Sequence, residues 1–153
     1  MERPAAKIVF KGLEILEKSM QRRPDEGVNI TAFNFDVNVE SRLNPNERSI
    51  LVIVRINLKE GGKDPNIASI TTVCLYVLDN YDEVLLKNDG ATYEIPADLN
   101  TLLQSVSVST VRGIMYSEFR GTYITAAILP VIVVTPDMIQ TQQPNPLEKS
   151  ATP

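Results

Sequence analysis

The side chains that could do chemistry in this chain are few, and the commonest reagent is missing. The sequence carries 15 Lys and Arg, 19 Asp and Glu, one Cys and no His. Histidine is the usual general base and metal ligand near neutral pH, so both tasks lose their ordinary group. A structural zinc site needs more thiolate and imidazole ligands than a lone Cys74 supplies. Asp79, Asp82 and Glu83 stand together beside a turn, and three acids in that setting form a solvated surface far more often than a metal site. The stretch "EGGKDP" at 60–65 lacks the spacing and the following helix of a phosphate-cradling loop, so it reads as a turn. Arg112 and Arg120 share a helix face about two turns apart, which suits ion pairing across an interface better than ligand binding. Carboxylate, Lys and Tyr chemistry remains, but no two such groups form a recognisable constellation. The expectation is a protein that is not an enzyme, with no cofactor and no metal.

The elements that would position a binding surface carry more information. A chain of 153 residues is one domain by the usual prior, and one of that length hides roughly 68–70% of its unfolded surface. The net charge of −4 and pI near 4.9 argue against a nonspecific nucleic-acid binder, which needs a basic face. No apolar run reaches the roughly 18 residues of a membrane span, so no membrane insertion is expected. The opening "MERPAAKIVFKG" has no secretory pattern, and with a lone Cys74 it points to a reducing cytoplasm. Cys74 itself is read as a small buried hydrophobe rather than a reactive thiol.

Residues 8–20, "IVFKGLEILEKSM", mix two signals. Phe10, Leu13 and Leu16 could share a helical face, whereas Gly12 and the β-branched start favour a strand, which is the reading taken here. In "VNITAFNFDVNVESRL" the alternation slips between Ala32 and Phe33, as a β-bulge would make it. After a turn at "NPNE", "SILVIVRINLKE" alternates cleanly. A "GGKDPN" turn follows, and then "ASITTVCLYVLD" is apolar on both faces. The period then changes: Val108, Val111, Met115 and Phe119 form one helical stripe, with Pro96 and Asp98 as start signals and Gly121 as the stop. Gly113 within that helix suggests close approach of another element. The apolar segment after Gly121 is expected to be extended up to Pro130 and Pro136. The reading is α+β: a four-stranded antiparallel sheet, then a crossover segment and a long C-terminal helix. Residues 1–139 make one domain, and the polar, Pro-rich 140–153 a disordered tail.

With that order of elements, "VRGIMYSEFRGT" at 111–122 and "YITAAILP" at 123–130 resemble the SecB family of export chaperones. The opening 8–20 is similar to that family's first strand, and "TTVCLYVLD" to its fourth. The likeness runs over about residues 8–139. It implies a homotetramer, a dimer of dimers, that holds unfolded polypeptides in apolar grooves without ATP, in protein export. By position, the client groove would comprise Tyr81, Val84, Leu85 and Leu86 in the crossover and Ile124, Ile128 and Leu129 after the helix. Asp79, Asp82 and Glu83 would edge it and favour basic clients. The long helix would stack between dimers, using Val108, Gly113, Met115 and Phe119. Two departures stand out: the family's final amphipathic helix is reduced to "TPDMIQTQQ", and the tail lacks the basic cluster that engages SecA. Divergent members that guard an antitoxin look equally close.

The supply of apolar residues exceeds what one sheet face and one helix can cover. The surplus is assigned to subunit interfaces, including Cys74, Tyr76 and Leu78, and to the groove, although short apolar runs are commonly plain core. Leu85→Asp or Ile128→Asp is expected to weaken client binding while the fold survives. An enclosed pocket for a small apolar ligand is the alternative use of the same hydrocarbon.

Overall fold

Alternation in the central strands determines which side of the sheet becomes the core. In β3 (Ser49–Glu60), Ile50, Val52, Val54, Ile56 and Leu58 are all almost wholly buried. Strand β4 (Lys63–Leu78) sets Ile70, Thr72, Cys74, Tyr76 and Leu78 on the same side, with Val52 opposite Cys74 and Ile50 opposite Tyr76. The computed structural model from which these positions come describes residues 2–21, 32–88, 90 and 92–132. Strand β1 (Ile8–Met20) pairs with β4, and β2 (Phe33–Asn44) with β3, so the four antiparallel strands run in the order β1-β4-β3-β2.

The connection between β3 and β4 is tighter than "GGKDPN" suggested. Gly61 and Gly62 alone form the turn, at φ +56° and +74°, the left-handed pair that matches the twist of a two-residue hairpin. From Phe33 onward β2 pairs with β3 in unbroken register. The expected slip before it falls largely on residues 28–31, which lie outside the described residues, as do 140–153 and "TPDMIQTQQ". Among the described residues, the register of β1 with β4 shifts between Phe10 and Gly12 and again between Ile15 and Glu17, and that of β3 with β4 between Leu58 and Glu60.

Helix α2 (Ala97–Glu118) covers the core side of β2, β3 and β4. Its buried residues include Leu99, Leu103, Val108, Val111 and Met115, and Phe119 follows at the C-cap. The stripe read from the sequence is therefore the sheet-facing one. The Ser107 hydroxyl donates to the Leu103 carbonyl (2.7 Å) and accepts from the buried Tyr76 hydroxyl (2.8 Å), fixing the helix over β4. Tyr76→Phe removes one bond of this buried pair. A loss of about 1 kcal/mol is expected, read as a lower urea midpoint. Gly121, at φ +78°, turns the chain after the helix as expected.

The crossover contains elements too short to show a period: α1 (Tyr81–Val84) and a two-strand ribbon of β5 (Leu86–Lys87) and β6 (Tyr93–Glu94). After α2 the chain turns through residues 123–126 rather than running extended, because Thr125 and Ala127 N–H groups bond back to Thr122 and Ile124 carbonyls.

Candidate functional site

The crossover is held down by one aromatic–ionic cluster. Tyr81 is buried, with its ring edge-on to Tyr93 (centroids 5.5 Å) and the Arg48 guanidinium 5.9 Å from its centroid. Arg48 also pairs with Asp82 at 3.0 Å, and the Tyr93 hydroxyl donates to the same carboxylate at 3.3 Å. Arg48 sits in the turn before β3 at φ +52°, so this turn and the crossover are locked to each other. The Tyr81 hydroxyl is buried without a hydrogen-bond partner. Burial, with help from Tyr93 and Asp82, holds its phenol above the usual range. Asp79, Asp82 and Glu83 are exposed. Among the described residues no three of His, Cys, Asp and Glu converge into a metal-holding group.

Of the seven groove residues, five belong to the chain's own core. Tyr81, Val84, Leu85, Ile124 and Leu129 are at most 5% exposed, whereas Leu86 and Ile128 are 42% and 58% exposed. The reason is local geometry. Val84 and Leu85 close α1 onto the core, and the turn at 123–126 sends Ile124, Ala127 and Leu129 inward and Ile128 outward.

The interface residues divide in a similar way. Cys74, Tyr76, Leu78, Val108, Met115 and Phe119 are buried within the protomer, as the two sides of the sheet–helix contact. Burial also pushes the Cys74 thiol up, so it stays protonated and inert near neutral pH. Gly113 alone lies on the outer face, and a Cβ built there would meet nothing within 4 Å. Arg112 is engaged within the protomer. Its Nε donates to the Leu129 carbonyl (3.0 Å) and its Nη2 to the Pro130 carbonyl (3.2 Å), tying the post-helix segment back onto α2.

Two exposed apolar groups lie apart from the candidate groove. On edge strand β1, Phe10, Ile15, Leu16 and Met20 are between 36% and 54% exposed. On α2, Leu102, Val106 and Tyr116 are between 43% and 58% exposed. The α2 group was legible as a second stripe, since Leu102, Val106, Ser109, Gly113 and Tyr116 recur at steps of four and three. The β1 group was not, because nothing in the sequence says which strand α2 leaves uncovered.

The described residues thus form an α+β domain with a four-stranded antiparallel sheet, a crossover and one long helix on one sheet face. No helix among them is long and apolar enough to cross a membrane. No family model matches the chain, and no curated sequence matches it. Among solved structures it is similar to a SecB-like chaperone of Mycobacterium tuberculosis in complex with a ChAD peptide from the HigA1 antitoxin. That pair has 12% identity and a TM-score of 0.49, over 84% of this chain and 88% of the other. It is also similar to a protein of unknown function from Streptococcus agalactiae, at 13% identity and a TM-score of 0.42, over 86% and 99% of the two chains.

Proposed function

We propose that this chain is an ATP-independent holdase that shields non-native polypeptides on its apolar surface and works as a homotetramer. The observation that carries the reading is the exposed hydrocarbon on β1, which α2 leaves uncovered, and on the outer face of α2. Large apolar side chains gathered in solvent on one element mark interaction surfaces. The resemblance to SecB carried by residues 111–130 supports the same reading. Leu86 and Ile128 are the contact residues for clients, and the buried Tyr81, Val84, Leu85, Ile124 and Leu129 form the floor that holds them in place. The outer stripe of α2 serves assembly. The protein acts in the cytoplasm, on export clients or on one dedicated client such as an antitoxin, and needs no catalytic step.

The test is suppression of light scattering by an unrelated aggregating polypeptide, without nucleotide. Suppression near stoichiometric ratios is expected. Full suppression by Ile128→Asp would remove Ile128 from the client surface; a roughly tenfold weakening is expected, with stability changed by no more than about 0.5 kcal/mol, since the side chain is exposed. Failure to suppress any unrelated polypeptide would overturn a general holdase and leave a dedicated client or a small apolar ligand.

A further inference from the structure

Strand β1 does not begin where the chain begins to be held. Upstream of it, Arg3–Lys7 lie across the end of β4 and the start of α2, and their contacts are mostly main-chain. The Lys7 N–H donates to Asn80 Oδ1 (2.9 Å), Asn80 Nδ2 donates to the Ala5 carbonyl (2.9 Å), and the Asp79 N–H donates to the Lys7 carbonyl (3.0 Å). These three groups are ones that an extended chain aims to one side. Asn80 is 9% exposed, so a buried side-chain amide is committed to one donor and one acceptor of a peptide backbone. Such a clamp recognises an extended chain without regard to its sequence, as a generalist peptide site requires.

The side chains of the segment fit their seat loosely. Pro4, Ala5 and Ala6 are small, and beside them remains a cavity of about 270 Å³, walled by Val84, Pro96, Leu99 and Leu102. The space is half open to solvent, so the apolar groups that line it are only partly sheltered from water. The one ionic tie, Arg3 to Asp98 at 3.6 Å, has both side chains largely in solvent and holds little. A foreign segment with larger apolar side chains would keep the same three main-chain bonds and also fill the space.

We infer that residues 2–7 are an internal placeholder in a peptide-binding seat formed by Asp79, Asn80, α1 and the first turns of α2. Its ligand is an extended polypeptide segment bearing large apolar side chains, which displaces the placeholder. The inference rests on the holdase reading and gives it a main-chain recognition element.

The probe is a synthetic acetylated peptide alternating Leu and Ala with one central Phe, added to the full chain. At saturating peptide, hydrogen exchange at the Lys7 amide should accelerate at least roughly tenfold, while amides in the middle of β1 keep their protection. Ala6→Leu should fill the cavity, tighten the placeholder and weaken peptide binding by roughly tenfold. Peptide binding with Lys7 protection unchanged and Ala6→Leu equal to the natural chain would overturn the placeholder and leave the holdase standing. Aggregation suppression without any binding of this peptide would also overturn it alone. Loss of both suppression and peptide binding would remove the holdase reading together with the placeholder.

Discussion

Leu85→Asp is expected to unfold the domain rather than to blunt client binding selectively. Leu85 is 5% exposed, and its N–H caps α1 by donating to the Tyr81 carbonyl at 3.1 Å. Removing the side chain from the core forfeits about 1.5–3 kcal/mol of burial. A carboxylate at the same position must either stay buried and unpaired or drag the crossover into water, and each route costs several kcal/mol more. The sum approaches the whole stability of an ordinary domain, about 5–15 kcal/mol. In a urea titration followed by circular dichroism, the variant should have lost most of its folded baseline at zero denaturant. Ile128→Asp is the control, since its parent side chain is 58% exposed and should leave the curve in place. A folded Leu85→Asp chain with selective loss of clients would mean that the crossover stands open in solution and that the buried floor is the working surface.

This reverses one expectation drawn from the sequence, for a definable reason. Residues 81–86 and 123–130 are apolar runs of a few residues, and such runs do not say which members face inward. Burial at Leu85 and exposure at Leu86 follow from where a four-residue helix ends. Burial at Leu129 and exposure at Ile128 follow from hydrogen bonds in the turn before them. Long elements behaved differently. Strand β3 could be read residue by residue, because five alternating positions leave one choice of face. Strand β1 was ambiguous because two bulges place its core-side positions at Ile8, Phe10, Leu13, Ile15, Lys18 and Met20, opposite Leu78, Tyr76, Cys74, Thr72, Ile70 and Ala68. Those steps of two and three imitate a helical spacing. The placeholder segment was not legible at all. "RPAAK" carries no period, and the role of Asn80 depends on β1 starting beside the end of β4.

The outer stripe of α2 gives the largest expected effect on assembly. Leu102, Val106, Ser109, Gly113 and Tyr116 advance by alternating steps of four and three, the period that keeps one seam of a helix against a partner helix. Gly113 leaves that seam open in its C-terminal half, where a Cβ would touch nothing within 4 Å, so a second helix can come close there. If two copies meet about a two-fold axis, any substitution appears on both sides of the contact. Val106→Glu then brings two carboxylates into a shared apolar seam, and their desolvation costs several kcal/mol. In the protomer the same side chain is 43% exposed, so the fold should be nearly indifferent. Light scattering coupled to size exclusion should therefore show the natural chain as a tetramer and Val106→Glu as a smaller species, with unchanged circular dichroism. A variant that kept the tetramer's mass would place the assembly contact elsewhere, with the exposed edge of β1 next to be tested. A natural chain that ran as a monomer would leave the outer stripe free for clients, and Val106→Glu should then weaken aggregation suppression rather than assembly.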